Sequence, residues 1–314
     1  MYVQIKSIRD LTPSIRSFEL TAEDGSDLPE FTAGSHIDII LDNGLTRQYS
    51  IANCCSEKNH YIIGVLHDVN SRGGSSFIHQ QFKIGDQINI SEPRNLFPIH
   101  SNTNKACLFA GGIGITPILS IAYALKRENI PFEFYYFVRD EKSAAFKDIL
   151  ETQFNHEIHF NIENDLNRQL NVNEILKSPE ANKHLYVCGP NGFMDFIFKT
   201  AENYQWNKEH LHKEYFVAAS ADDESNFEFK VKIASTGEII PIAADESITE
   251  ALDKRGIEIP VSCEQGICGT CLTTIIEGEP EHRDMFLTDG EKGLNQIFIP
   301  CCSRSKSEIL VLDL

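Results

Sequence analysis

Five of the nine cysteines lie in the last 52 residues, and their spacing limits what this end of the chain can fold into. Four of them follow the pattern C-x4-C-x2-C-x29-C: Cys263, Cys268, Cys271 and Cys301. A C-x4-C-x2-C loop with one distant cysteine is the ligand pattern of a plant-type [2Fe–2S] cluster. Gly266 and Gly269 suit such a loop, because glycine permits tight bends and a close approach of backbone amides to the sulfurs.

These cysteines could instead form a zinc site or be ordinary buried thiols. Structural zinc sites usually combine two short C-x2-C pairs, and this segment contains only one. Unconnected buried thiols would not be expected at this spacing beside two glycines. Cys302 competes with Cys301 for the fourth position, and the plant-type spacing favours Cys301. Adjacent strand residues point to opposite faces, so Cys302 is predicted to be a bystander.

The predicted pattern of strands and helices changes twice along the chain. Residues 1–103 contain short alternating strands separated by glycine and asparagine turns, which predicts a small antiparallel β-barrel. Residues 104–219 alternate apolar strands with helices, which predicts an α/β domain with a doubly wound parallel sheet. Residues 220–226 are small, polar and acidic, as in an interdomain linker, and 227–314 form the cysteine-containing domain. The barrel strands are expected at 15–20, 36–41, 61–66 and 87–91, and residues 101–104 are expected to link the first two domains.

Two turns of the second segment are candidate nucleotide-binding turns. They contain Gly111, Gly112, Gly114 and Thr116 in the first turn, and Cys188, Gly189 and Pro190 in the second. The first opens a helix, where backbone amides and the helix dipole favour a pyrophosphate, but it departs from G-x-G-x-x-G and is weak alone. Both follow strands at their carboxyl ends, where open α/β sheets bind ligands.

Arg139 and Asp140 follow the second strand of this segment. An acidic residue there can accept a hydrogen bond from a ribose 2′-hydroxyl, which favours NADH, whereas Arg139 leaves NADPH open. The alternative is that both belong to an ordinary solvated loop.

Two motifs in the barrel segment could hold a phosphate and a flat ring. Arg47 and Tyr49 share one face of a strand, and Gln48 and Ser50 share the other. Further on, Gly73, Gly74 and Ser75 open a predicted helix, which is a second anion-binding arrangement. Taken alone, these motifs would be a surface strand and a flexible loop.

The overall charge and hydropathy limit the class of partner. A net charge of -18 argues against nucleic acid, since phosphate binding needs clustered Lys and Arg. It is compatible with docking on a basic protein, and equally with an ordinary acidic protein. No run approaches the roughly 18 apolar residues of a membrane helix, and the start lacks a signal peptide's layout. A cytoplasmic location is expected.

Taken together, these motifs resemble the phthalate dioxygenase reductase family, the reductase components of two-component Rieske oxygenases, including vanillate and carnitine systems. The resemblance covers almost the whole chain, and the motifs occur in the family's order. The end of the chain, from Cys301 to Leu314, is also typical of the family, which usually has valine at the position of Cys302.

The resemblance implies an FMN-binding barrel, an NADH-binding domain and a β-grasp ferredoxin domain with a [2Fe–2S] cluster. It implies that Arg47, Tyr49 and Ser50 hold the flavin, that Gly73, Gly74 and Ser75 lie at its phosphate, and that Gly112, Thr116 and Cys188 lie along the nicotinamide cofactor. It also implies that Phe216 covers the isoalloxazine ring. NADH would reduce the flavin, and the cluster would pass single electrons to the oxygenase, so no acid–base or nucleophilic side chain is required.

Two alternative functions fit parts of the sequence. A free-standing diaphorase would reduce a small acceptor such as a quinone, but it would not need the ferredoxin domain. A non-enzymatic electron carrier or metal-binding module would leave the first 220 residues without a purpose. The sequence favours the oxygenase reductase, expected as a monomer, and does not identify the oxygenase or its organic substrate.

Overall fold

The computed structural model describes residues 1–68, 73–216 and 226–314. The chain divides into two compact units, Met1–Glu214 and Tyr215–Leu314. Of the predicted linker, only Asn226 falls within the described residues. Arg72, which precedes the Gly73-Gly74-Ser75 motif, lies outside them. None of the helices in the described ranges has the length and apolar character that a membrane crossing requires.

The first sheet of unit 1 is antiparallel and contains seven strands. Its elements are β1 (Tyr2–Asp10), β2 (Ile15–Thr21), β3 (Ser35–Ile40), β4 (Thr46–Ser50), β5 (Tyr61–Leu66), α1 (Gly74–Gln81), β6 (Gln87–Ile90) and β7 (Arg94–Asn95). The strand order is β4-β3-β6-β1-β2-β5, and β7 pairs with β3. An antiparallel bridge between Ile51 and Ile63 connects the two ends of this path, so the sheet is barrel-like.

The alternation of apolar residues explains the barrel's core. In β2 the side chains of Phe18 and Leu20 are buried. In β5 the side chains of Tyr61, Ile63 and Val65 are buried, whereas Ile62 is only half-buried. A period of two places every second side chain on the same face of a strand. The buried faces of these strands form one continuous apolar cluster inside the barrel.

The second sheet of unit 1 is parallel, with the strand order β10-β9-β8-β11-β12. Its strands are β8 (Lys105–Gly111), β9 (Phe132–Val138), β10 (Ile158–Ile162), β11 (Lys183–Cys188) and β12 (Leu211–Glu214). Its α-helices are α2 (Ile115–Arg127), α3 (Lys147–Gln153), α4 (Val172–Leu176) and α5 (Asn191–Asn203). Short 3₁₀ turns cover Gly112–Gly114, Glu141–Ser143, Leu166–Arg168 and Lys208–His210.

The order of this sheet reverses between β8 and β11, because β9 and β10 extend one way from β8 while β12 lies on the other side of β11. Ala110 in β8 pairs with Cys188 in β11, so the two strands end side by side. Ligands of open α/β sheets bind at such a reversal, outside the carboxyl ends of the strands. The two predicted nucleotide turns both lie at this position.

Unit 2 contains a mixed five-stranded sheet, a two-stranded sheet and two short helices. Its elements are β13 (Phe229–Ile233), β14 (Ile239–Ile242), α6 (Ile248–Asp253), β15 (Thr273–Glu277), β16 (Pro280–Glu281), α7 (Asp289–Leu294), β17 (Ile297–Phe298), β18 (Arg304–Ser305) and β19 (Ile309–Leu312). The order is β14-β13-β19-β15-β17, with β13 and β19 parallel, and β16 pairs with β18. Ile248, Ala251 and Leu252 of α6 pack on the sheet's buried face.

This architecture confirms the predicted fold class, an antiparallel barrel, a parallel α/β sheet and a β-grasp unit. The domain boundaries at residues 103, 219 and 226 stay predictions. The predicted linker at residues 101–104 lies between β7 and β8, and its Thr103 is buried, with Oγ1 2.8 Å from the Tyr186 hydroxyl. This hydrogen bond holds the linker on the parallel sheet.

Candidate functional site

The four cysteines of the predicted cluster are buried in unit 2. Cys263, Cys268 and Cys271 lie in the loop between α6 and β15, and Cys301 lies in a turn after β17. Each is no more than 8% exposed. Cys271 and Cys301 pack with Leu287 and Ile299 in a small apolar group apart from the main core of the unit. The structure therefore brings together three thiols of one loop and a fourth from 30 residues further along the chain.

The two glycines of the cysteine loop are required by its backbone. Gly266 and Gly269 have φ values of 72° and 69°, in the left-handed region that favours glycine. An ideal Cβ on Gly266 would lie 2.4 Å from the sulfur of Cys302, and one on Gly269 would lie 2.3 Å from the ring of Phe286. A side chain at either position would displace these neighbours.

Backbone amides of the loop point at its sulfurs. The N–H groups of Gln265 and Ile267 lie 3.4 Å from the sulfur of Cys263, and that of Thr270 lies 3.5 Å from the sulfur of Cys268. The four thiols hydrogen-bond one another, which lowers the pKa of Cys263 and Cys271 and raises the pKa of Cys268 and Cys301. Thiolates are the form that binds iron, so the buried, amide-lined loop fits a [2Fe–2S] cluster.

Within the described residues, no three His, Cys, Asp or Glu side chains are placed to hold a single metal ion.

The position of Cys302 differs from the sequence prediction that it lies on the opposite strand face from Cys301. Cys301 and Cys302 lie in a turn and not in a strand, so the alternation that would separate them does not apply. The Cys302 sulfur lies against Gly266 of the ligand loop and beside Cys301. The choice of Cys301 over Cys302 as ligand stays a prediction.

The glycine turn after β8 lies against the Cys-Gly-Pro turn after β11. An ideal Cβ on Gly114 would lie 2.2 Å from the carbonyl oxygen of Cys188, and one on Gly189 would lie 3.0 Å from the Cα of Gly111. The Gly112 carbonyl accepts a hydrogen bond of 3.0 Å from the Tyr136 hydroxyl. The structure thus brings both predicted turns together at the amino end of α2, where backbone amides are available to an anion.

Sequence reasoning missed Glu214, the last residue of β12. Its carboxylate oxygen Oε2 accepts a hydrogen bond of 3.1 Å from the Ser50 hydroxyl, and its carbonyl oxygen lies 3.4 Å from the Cys188 sulfur. Burial raises the pKa of Glu214 to about 8, and burial also raises the pKa of Cys188. The sequence carries no signal for this residue, because its surroundings follow from the pairing of β12 with β11, which places Glu214 opposite Cys188.

The predicted flavin motifs come together in the barrel. The Arg47 side chain lies on Gly74, where an ideal Cβ would be 2.7 Å from Arg47 Cγ and Nε. Gly73 precedes α1 with a φ of 92°, and the Ser75 hydroxyl accepts a hydrogen bond from the Asp68 amide at 3.2 Å. Tyr49 packs against the barrel core, and burial raises the pKa of its phenol. A guanidinium beside a helix amino end is an arrangement that suits a phosphate.

Three predicted residues have less distinctive surroundings. The Asp140 carboxylate caps the next 3₁₀ turn by accepting hydrogen bonds from the amide and hydroxyl of Ser143, at 3.0 and 2.9 Å. The Ser143 hydrogen bond lowers the pKa of Asp140. Arg139 is exposed, and Phe216 is half-buried in a bend near the start of unit 2. Their roles toward a nucleotide or flavin stay predictions.

The chain is similar to known proteins over its whole length. Residues 231–306 match the family described as the 2Fe-2S iron-sulfur cluster binding domain. The chain is 55% identical to vanillate O-demethylase oxidoreductase of Acinetobacter baylyi, covering 100% of this chain and 99% of that protein. It is 38% identical to phthalate dioxygenase reductase of Burkholderia cepacia, covering 99% and 97%. A solved structure of phthalate dioxygenase reductase, described as modular for electron transfer from pyridine nucleotides to [2Fe–2S], matches with a TM-score of 0.79 and 36% identity, covering 100% and 98%.

Proposed function

The chain belongs to the phthalate dioxygenase reductase family of NADH-dependent flavin and iron–sulfur oxidoreductases, and we propose that its partner is a Rieske-type oxygenase that O-demethylates vanillate or a close analogue. The enzyme passes electrons from NADH through FMN and a [2Fe–2S] cluster to an oxygenase component. The choice of an aromatic O-demethylase rests on the greater identity to the vanillate relative than to the phthalate one.

The observation that best supports this function is that one chain contains the amide-lined cysteine loop and two turns suited to phosphate, at residues 73–75 and 111–114. A free-standing diaphorase would leave that loop unexplained, because direct reduction of a small acceptor by a flavin needs no cluster. FMN held by the barrel would supply the exchange between two-electron transfer from NADH and one-electron transfer to the cluster. The loop and the two turns therefore suit a chain that carries all three cofactors.

For the flavin, we propose a site on the outside of the barrel. Arg47 and the amino end of α1, with Gly73, Gly74 and Ser75, would hold the phosphate. The support is the contact of the Arg47 side chain with Gly74, which puts a positive charge beside the amino end of α1. Tyr49 and Ser50 would lie along the ring, and Phe216 would cover it.

For NADH, the proposed site is the reversal point between β8 and β11. Gly111, Gly112, Gly114 and Thr116 would face the pyrophosphate, with Cys188, Gly189 and Pro190 beside the nicotinamide and Arg139 and Asp140 near the ribose. The contact between the two turns supports this site. Glu214 would be largely protonated at neutral pH because its pKa is raised to about 8, so the site would hold an uncharged carboxyl next to Ser50 and Cys188.

For the cluster, Cys263, Cys268, Cys271 and Cys301 are proposed as the four ligands. Their burial, the sulfur-directed amides and the positive φ of Gly266 and Gly269 support this assignment. The nine cysteines all lie within the described residues and form no disulfide, as expected of a reducing compartment. A cytoplasmic location and a monomeric reductase complete the proposal.

The function is tested by reconstitution with the purified oxygenase component of a vanillate O-demethylase, under air and with NADH. O-demethylation consumes the methoxy substrate, one O2, two electrons and two protons, and yields the phenol, formaldehyde and water. We expect formaldehyde in proportion to NADH oxidised, and only when reductase, oxygenase and vanillate are all present. NADH oxidation with no formaldehyde, while the cluster is still reduced, would reject the vanillate-type partner and keep the reductase.

A further inference from the structure

Tyr136 of β9 is a fully buried tyrosine whose hydroxyl makes two hydrogen bonds beside the glycine turn. The hydroxyl donates to the Gly112 carbonyl oxygen at 3.0 Å and accepts a hydrogen bond of 3.2 Å from the Ala145 amide. A tyrosine hydroxyl has a single proton to donate, and burial raises the pKa of Tyr136, which keeps that proton in place. Because the Ala145 amide already occupies one side of the oxygen, the proton is directed to Gly112.

The Ala145 end of this link is held against the barrel. Ala145 is buried, and the next residue, Phe146, has a left-handed backbone with a φ of 57°. An ideal Cβ on Gly64 of β5 would lie 3.5 Å from the Phe146 ring and 2.7 Å from the Thr116 Cγ2, so both side chains lie on one barrel strand. A left-handed residue other than glycine persists only where its surroundings hold it. The donor that orients the Tyr136 hydroxyl is therefore fixed by packing.

The hydrogen bond to Gly112 sets the direction of one backbone amide in the turn. The peptide bond between Gly112 and Ile113 is trans, so its carbonyl and its N–H point in opposite directions. Since the carbonyl points at the buried Tyr136 hydroxyl, the N–H of Ile113 points away from it. Gly112 has a φ of 53°, and glycine leaves such a peptide free to rotate. The Ile115 amide also donates to this carbonyl from within the turn, and Tyr136 adds an anchor from outside it.

We propose that Tyr136 is a positioning residue for NADH: its hydroxyl holds the Gly112–Ile113 peptide so that the Ile113 N–H faces the pyrophosphate. The proposal rests on the proposed function, since it assigns a role at the proposed NADH site. Tyr136 acts through the turn and does not touch the cofactor. A donor that is already oriented binds an anion more tightly, because no free energy is spent on ordering it.

Tyr136→Phe tests this role, because it removes the hydroxyl and keeps the ring. Tyr186→Phe is the matched control in the same parallel sheet. Tyr186 is also fully buried, and its hydroxyl also makes two hydrogen bonds, to the His100 amide at 2.9 Å and the Thr103 hydroxyl at 2.8 Å. These partners belong to the segment before β8 and not to the glycine turn. Both variants are prepared as full-length holoenzyme, and visible and EPR spectra check their flavin and cluster content.

Three compounds separate the hold on the pyrophosphate from the chemistry at the flavin, all followed by anaerobic stopped-flow reduction of the flavin. In Tyr136→Phe we expect the Kd for NADH to rise about tenfold, because the freed peptide has to be ordered on binding. The Ki of ADP-ribose, a competitor that has the pyrophosphate and lacks nicotinamide, should rise by the same factor. N-benzyl dihydronicotinamide, a hydride donor without phosphate, should reduce the flavin at the wild-type rate. Tyr186→Phe should match the wild type with all three.

Two results would overturn the role of Tyr136. One is a Kd for NADH in Tyr136→Phe equal to that in Tyr186→Phe. The other is equal slowing of flavin reduction by NADH and by N-benzyl dihydronicotinamide, because a general disturbance of the flavin site does not depend on phosphate. In both cases a wild-type flavin that NADH reduces keeps the proposed function. A wild-type flavin that NADH does not reduce would reject the proposed function, and the role of Tyr136 with it.

Discussion

The glycine turn at residues 111–114 and the cysteine loop at residues 263–271 both bend the backbone at a proposed cofactor site, but they are held in different ways. The glycine turn is fixed on both sides by β8 and α2, and it packs against the Cys188 carbonyl. The cysteine loop contains no helix or strand, and its sulfurs are held chiefly by one another and by backbone amides.

This difference shows where each site obtains its stability. The glycine turn is part of a sheet whose strands β8 and β11 are almost fully buried, so protein packing alone defines its shape. The cysteine loop belongs to a unit with a smaller core, and its thiols form a separate group with Leu287 and Ile299. Because the energy of metal binding becomes folding energy when the site exists only in the folded state, we expect the cluster to stabilise unit 2 and to leave unit 1 largely unaffected.

The largest expected effect is the loss of a cluster ligand. Cys271→Ala should abolish the reduced-cluster EPR signal and shift the thermal unfolding of unit 2 to lower temperature, because the loop loses its cross-link. Unfolding of unit 1 and reduction of the flavin by NADH should be unchanged. Cys302→Ala is the matched control and should keep the EPR signal. Loss of the signal in Cys302→Ala, with retention in Cys301→Ala, would reverse the assignment of the fourth ligand.

The next effect concerns the backbone of the loop. Gly269→Ala should destabilise unit 2 by about 2 kcal/mol or more, since alanine has to adopt a left-handed conformation and its Cβ overlaps the Phe286 ring. Gly237→Ala is the control, with a φ of 73° and no atom within 4 Å of the added Cβ, so it should cost only about 1 kcal/mol. Denaturant midpoints of unit 2 measure both. Equal losses in the two variants would contradict the packing of Phe286 on the loop.

A smaller effect should appear in unit 1 and depend on pH. The folded pKa of Glu214 is raised to about 8 by burial, above the value of about 4.3 for an unperturbed glutamate. The wild type should therefore lose stability as the pH rises from about 4.5 through 8, because burial disfavours the ionised carboxylate. Glu214→Gln removes this titration, so its stability relative to the wild type should increase across the same range. Parallel pH profiles of the two proteins would show that Glu214 is not buried as described.

The smallest effect is expected at the other end of β11 and β12. His184 and His212 stack with ring centroids 5.1 Å apart, and burial, followed by the nearby histidines, lowers the pKa of each to about 4. Their contribution is therefore complete above about pH 6.5 and is lost as the pH falls toward 4. His212→Gln should reduce the acid sensitivity of unit 1 and leave unit 2 unchanged, as followed by unfolding between pH 7 and 4. An unchanged acid slope would contradict the stack.

The sequence predicted the features that depend on spacing. The cysteine pattern identified the four thiols that the fold brings together, and strand-to-helix alternation identified the parallel sheet with both turns at its carboxyl edge. Glu214 was missed because its burial follows from the pairing of β12 with β11 and from its contact with Ser50, a residue 164 positions earlier. Phe286 was missed for the same reason, since only the folded loop places its ring on Gly269. The alternation argument for Cys302 failed because residues 301 and 302 form a turn.

Anaerobic addition of NADH to the purified protein, followed by visible and EPR spectroscopy, tests the central claim most directly. We expect the flavin band to bleach and a plant-type reduced-cluster EPR signal to appear in the same protein, because both cofactors belong to one electron path. A bleached flavin with no cluster signal would contradict this claim, since the cysteine loop would then take no part in the path and a flavin diaphorase would explain the activity better.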